Sequence, residues 1–136
     1  MSKKISIIAI ILSAAAIVMS IINLVPVINS PDVQYVMYIG TNDQETNEPV
    51  CTPDEAKELV EEVLADHFGG YTIQEANGGW KENGELFQEY SVVAVLSDTN
   101  IAAVHAAADE LCEKLHQSTV LIQENRTKTE FYAGGN

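Results

Sequence analysis

Residues 71–96 read YTIQEANGGWKENGELFQEYSVVAVL, two stretches of alternating apolar and polar character joined at Asn83-Gly84. A type I′ turn needs positive φ at both central residues, and Asn followed by Gly meets that need with little strain, so the dipeptide predicts a β-hairpin. The flanking strands are expected over Tyr71 to Ala76 and Leu86 to Leu96. Pairing outward from the turn sets Glu82 opposite Glu85 and Trp80 opposite Phe87, an aromatic cross-strand pair. Asn77, Gly78 and Gly79 fall inside the hairpin and are expected to form a bulge.

On the N-terminal side of this hairpin, Thr52-Pro53-Asp54-Glu55 carries the marks of a helix start. They are a hydroxyl N-cap, proline at the first helical position and a glutamate placed to close a capping box. Ala56, Leu59, Val60, Val63 and Leu64 then recur at helical spacing, with Glu55, Glu58, Glu61, Glu62 and Asp66 around them. Gly69 and Gly70 are expected to stop the helix. Before it, Val33 to Ile39 reads as a strand closed by Gly40, followed by a polar, mobile loop from Thr41 to Pro49. On the C-terminal side, Ile101, Val104, Ala108, Leu111 and Leu115 mark a helix over Ile101 to His116. A last strand is expected from near Thr119 through Val120 to Ile122, with Glu130 to Tyr132 extending it. The order β-α-β-β-α-β predicts an α+β fold. Its simplest form is a ferredoxin-like plait, an antiparallel sheet with two helices on one face.

Upstream of this domain, Ile5 to Val25 contains no charged residue. A helix of that length, at about 1.5 Å per residue, spans the roughly 30 Å core of a bilayer. Lys3 and Lys4 precede the run and no basic residue closely follows it. The positive-inside bias therefore places the N-terminus in the cytoplasm and the rest of the chain outside. The run exceeds the apolar region of a cleaved signal peptide, so an uncleaved signal anchor in the cell membrane is expected. The expected organisation is a cytoplasmic stub and transmembrane anchor over 1–28, a short linker over 29–32, an exported α+β domain over 33–132 and a frayed tail over 133–136.

The seven basic residues include Lys3 and Lys4, which leaves five beyond the anchor against all 20 acidic residues, a formal charge of −15. Such a domain is not expected to bind nucleic acid or an anionic lipid face.

The stretches Tyr38-Ile39-Gly40, Thr52-Pro53-Asp54-Glu55, Gly70-Tyr71-Thr72-Ile73, Gly79-Trp80 and Glu89-Tyr90-Ser91 resemble a domain-of-unknown-function family of small exported bacterial proteins. In that family a strand and helix lead to Gly-x-Thr, Gly-x-Trp and Glu-x-Ser segments. The resemblance spans Tyr35 to Leu96 and implies export and fold, without implying catalytic residues. The chain departs from the family pattern at Asp66-His67-Phe68, where that pattern is basic and contains proline.

Few residues point to chemistry. His67, His105 and His116 have no compact ligand spacing, so no metal is expected, and no phosphate loop or other cofactor motif is present. Cys51 and Cys112 lie on elements expected to hold them apart, which disfavours a disulfide. Glu75 and Glu89, on neighbouring strands beside Trp80, are the one candidate acid–base pair. Asn77, Trp80 and Phe87 form the candidate binding cluster.

The leading expectation is a membrane-anchored, non-enzymatic binding or interaction module, whose open sheet face meets a protein partner or a second copy in a homodimer. The alternatives are a small hydrolase or isomerase using Glu75 and Glu89, and extracytoplasmic calcium binding by the acidic face.

Overall fold

In the computed structural model, residues 32–135 are described. The expected cytoplasmic stub and anchor over Ile5 to Val25 lie outside them. Among the described residues no helix is long and apolar enough to cross a membrane.

The chain forms β1 (Asp32–Gly40), α1 (Pro53–His67), β2 (Thr72–Glu82), β3 (Glu85–Leu96), α2 (Ile101–Lys114) and β4 (Leu121–Thr127). The four strands make one antiparallel sheet in the order β2-β3-β1-β4, with the two strands of the hairpin adjacent and β1 between β3 and β4. This is α+β architecture with the strand order of a ferredoxin-like plait.

Successive strand residues alternate between faces. Tyr35, Met37 and Ile39 of β1 and Val92, Ala94 and Leu96 of β3 join Val60, Val63 and Leu64 of α1 and Val104, Ala107 and Leu111 of α2 in one core. Both helices therefore lie on the odd-numbered face of β1. The other parity, including Tyr38, Gly40, Glu89, Ser91 and Val93, faces away from them.

Local chemistry sets the helix ends. The Thr52 hydroxyl accepts from the Glu55 N–H and the Glu55 carboxylate accepts from the Thr52 N–H, completing the expected capping box. α1 does not stop on a left-handed glycine. Phe68 leaves the helix in extended conformation, with its N–H donating to the Leu64 carbonyl, and its ring is drawn into the core. α2 ends before His116. The His116 backbone is left-handed (φ 51°), the Gln117 N–H reaches the Cys112 carbonyl and the His116 N–H reaches that of Glu113. These are the two bonds of a Schellman motif, with histidine where glycine is usual.

Three other expectations change. No bulge interrupts the hairpin, because pairing runs continuously from Thr72↔Val95 to Glu82↔Glu85. The glycines serve close approach instead: a Cβ on Gly78 would lie 2.8 Å from the Ser91 hydroxyl, and one on Gly79 would lie 3.0 Å from the Phe87 carbonyl. β2 thus extends through the glycines to Glu82. β4 likewise runs to Thr127 through polar residues, because the β1 ladder holds it from Tyr38↔Leu121 to Asp32↔Thr127, while Glu130 to Tyr132 add no strand.

The fully buried Leu111 and the largely exposed Leu121 check this division of faces. Leu111→Ala is expected to lower stability by about 2–5 kcal/mol. Leu121→Ala is expected to change it by no more than about 0.5 kcal/mol, both read from urea unfolding.

Candidate functional site

The unbroken register decides where the candidate residues stand. A bulge of one residue between Glu75 and Trp80 would have placed Glu75 on the face of Glu89. Without it, Glu75 pairs across from Val92, whose side chain is in the core, and Glu89 pairs across from Gly78 on the opposite face. Glu75 instead accepts from the Lys57 ammonium of α1 at 3.3 Å, and this carboxylate holds the ammonium above its usual range. The two glutamates are separated by the sheet and cannot share a proton or a substrate atom as an acid–base pair.

Glu89 has a different set of neighbours. It leans over Gly40, where an added Cβ would stand 2.5 Å from Oε2. Oε2 accepts from the backbone N–H of Thr41 at 3.0 Å and of Asn42 at 3.2 Å. In return, the Thr41 hydroxyl donates to the Tyr90 carbonyl at 2.7 Å, and the Asn42 amide donates to the carbonyls of Gln88 at 3.3 Å and Asn47 at 2.9 Å. Thr41 and Asn42 are only 2 % and 6 % exposed. β1 therefore does not end abruptly at Gly40: a side chain-to-backbone clamp continues its attachment along β3. The Gln117 amide adds a bond to the Asn42 carbonyl, and His116 Nδ1 meets Asp43 Oδ2 at 3.2 Å. The loop expected to be mobile is tied down at its start. Gly40-Thr41-Asn42 and the Glu89-x-Ser91 pair were the signal for this clamp, but their meeting depends on a register between segments almost fifty residues apart.

Around the clamp lies a shallow depression of about 420 Å³, bordered by Tyr38, Gly40, Asn77, Gly78, Glu89 and Ser91 and floored in part by Val93 and Leu121. Beyond it, Trp80 and Phe87 stack with ring centroids 5.4 Å apart and planes 17° from parallel. Asn77 borders the depression, while Trp80 and Phe87 stand further out on the hairpin, so the expected binding cluster divides into two parts. A larger cleft of about 640 Å³ lies where the Gly69-Gly70 loop meets the start of α2. Two polar side chains lining it are engaged: Asn100 accepts from the Ala103 N–H, and His67 pairs with Glu110 at 2.9 Å.

The remaining candidates have structural roles. Among the described residues no group of three or more His, Cys, Asp or Glu is arranged to hold a metal ion. The carboxylate of Asp43 accepts from the N–H groups of Thr46 and Glu45, which hold it below its ordinary range, and the Thr52 N–H does the same for Glu55. Cys51 and Cys112 are free thiols; burial, seconded by Glu55 and Asp109 respectively, pushes both up, away from the reactive thiolate.

Residues 34–131 match the profile of a family described as "Protein of unknown function (DUF3574)". Among curated proteins nothing matches. Among solved structures, a phage SAM lyase in the apo state is 21% identical, with 76% of this chain and 90% of that chain covered and a TM-score of 0.51. A phage SAM lyase in complex with S-methyl-5'-thioadenosine is 20% identical, covers 80% and 93%, and has a TM-score of 0.48. CutA1 from Pyrococcus horikoshii OT3, in a variant form, is 14% identical, covers 73% and 86%, and has a TM-score of 0.45. At 21% identity the likeness to the apo SAM lyase is one of fold alone.

The clamp and the surface ion pair separate by mutation. Glu89→Ala is expected to lower stability by about 1.5–3 kcal/mol, since charge-assisted bonds to two backbone donors are lost, and to speed exchange of the Thr41 and Asn42 amides. Glu75→Ala, which removes an exposed pair, is expected to change stability by less than about 1 kcal/mol. Urea unfolding with amide exchange distinguishes the two.

Proposed function

This chain belongs to the DUF3574 family of proteins of unknown function, and from that premise we propose that it is a membrane-anchored, extracytoplasmic interaction module without catalytic activity, whose contact element is the β2–β3 ribbon and whose occupant is a second copy. The observation that carries this reading is the overhang of the hairpin. β1 pairs with β3 no further than Gly40↔Ser91, whereas β2 and β3 continue together from Asn77↔Tyr90 to Glu82↔Glu85. Six residue pairs thus continue with no third strand paired to them; the first three are flanked by the Thr41-Asn42 clamp and the last three, Trp80↔Phe87 to Glu82↔Glu85, project.

A two-stranded ribbon is marginal by itself in water. This one carries the Trp80–Phe87 stack on one side and Leu86, 63 % exposed, on the other. Its outer edge is the free edge of β2, and Ala76 to Trp80 along it bear no charge. An uncharged edge with aromatic flanks suits strand-to-strand addition. Antiparallel pairing of that edge with its counterpart repeats every contact twice, as a two-fold dimer requires. The apolar run from Ile5 to Val25 supports the anchor, and Lys3 with Lys4 supports external placement of the domain. Separation of Glu75 from Glu89 supports a role without acid–base chemistry.

The two copies would each carry strong negative charge, so repulsion opposes their meeting and salt screens it. Sedimentation of the compact unit Pro31–Asn136 is expected to show self-association that tightens as salt is raised. Leu86→Glu is expected to weaken it roughly tenfold or more without unfolding the domain. A monomer at low and high salt alike overturns the reading.

Orientation has its own check. Protease added outside intact cells is expected to degrade the part beyond residue 31, and protection of that part until the cells are lysed overturns external placement.

A further inference from the structure

We propose that the face of the sheet turned away from the helices rests on the outer surface of the membrane, with phospholipid as its occupant. The inference deepens the reading above and rests on its anchor and on its edge pairing.

The two faces of the domain differ in charge. α1 and α2 carry nine carboxylates and two lysines between them, and Glu58, Glu62, Asp66, Asp109 and Glu113 are exposed. On the opposite face, from the Trp80–Phe87 pair to the Gln34–Asn125 pair, the strands present one charged residue among those described, Glu89. One oxygen of that carboxylate already accepts from the N–H groups of Thr41 and Asn42. Around it stand amides, hydroxyls and apolar side chains, with Tyr38, Trp80 and Leu121 exposed. Tryptophan and tyrosine with uncharged neighbours suit the boundary between water and lipid. Carboxylates pressed against lipid would lose their hydration and gain no partner.

Symmetry calls for a face of the sheet on the membrane. Antiparallel strands that pair across an edge are related by a two-fold axis perpendicular to the sheet. Joining β2 to its counterpart therefore puts both helix layers on one side and both open faces on the other. Two anchors that enter one membrane from the same side require that axis to lie along the membrane normal. The joined sheet then lies parallel to the bilayer, and one of its sides looks toward it. The acidic helix layer turns to solvent and the uncharged face turns to lipid. The tether allows the approach: residues 26–31 separate Val25 from Asp32, where β1 begins, and a chain of that length spans at most about 25 Å.

Trp80 is the single tryptophan of the chain, so the face carries its own reporter. The test reconstitutes the full chain into phosphatidylcholine vesicles that contain doxyl-labelled phosphatidylcholine and compares tryptophan emission with that in unlabelled vesicles. Trp80 is expected to be quenched roughly twofold or more. Trp80→Phe combined with Glu62→Trp moves the reporter to the exposed side of α1 and is expected to be quenched far less. Leu121→Glu, at an exposed position, puts a charge on the lipid-facing side and is expected to restore most of the Trp80 emission in a folded domain. Flotation of the vesicles reads the anchor separately. A chain left behind overturns the anchor and this orientation together. A chain that floats with Trp80 unquenched, or with equal quenching from position 62, overturns the orientation alone. Edge pairing is read by sedimentation of the domain without lipid, independently of these results.

Discussion

Alternation with a period of two, carried without interruption from Glu82↔Glu85 to Thr72↔Val95, determines what each side of the sheet can do. The turn starts the count: Asn83 and Gly84 both have positive φ, at 50° and 91°. Every residue of β2 then has a determined face and a determined partner. One slip in that count would move Ile73 out of the core, bring Glu75 beside Glu89 and separate Trp80 from Phe87. β3 transmits the same count to β1, because Gly40 must stand opposite Ser91 for the Glu89 carboxylate to rest above it. Core, clamp and ribbon are thus three consequences of one register.

The acidity of the domain bears on the same architecture. With so few basic residues, most carboxylates lack a cation, and several are satisfied by N–H groups. Glu55 caps the start of α1, Asp43 receives two amides of its own loop, Asp32 receives the N–H of Thr129, and Glu89 receives those of Thr41 and Asn42. Each such carboxylate also serves a backbone donor that would otherwise turn to water. The high negative charge is therefore partly internal to the fold. An acidic helix face does not by itself indicate a cation site.

How much of this was legible in the sequence depended on how local each determinant was. The Thr52 capping box, the Asn83-Gly84 turn, the Trp80–Phe87 pair and the apolar stripe of α2 were readable because each is decided within a few residues. The order of elements followed, and with it the plait. The extent of β2 was not readable, since glycines in a strand signal either a bulge or close approach, and only the Ser91 hydroxyl and Phe87 carbonyl show which. β4 was cut short for a related reason: its polar residues have no apolar alternation, and the β1 ladder alone makes them a strand. Glu89 was singled out as one of an acid–base pair with Glu75, from which the register separates it. Its partners, Gly40, Thr41 and Asn42, lie in a segment whose polarity suggested mobility.

The two outer edges of the sheet differ in what they permit. Along β4 and just beyond it, Glu124, Arg126 and Lys128 put a charge at every second position. Along β2, the stretch from Ala76 to Trp80 has none. Charges on an edge discourage another strand from docking there. An edge that joins its own counterpart is used up in joining, and the guarded edges are then the ones left facing outward. In the proposed pairing, growth would therefore stop at two copies, without the open-ended ribbons that lead to fibres.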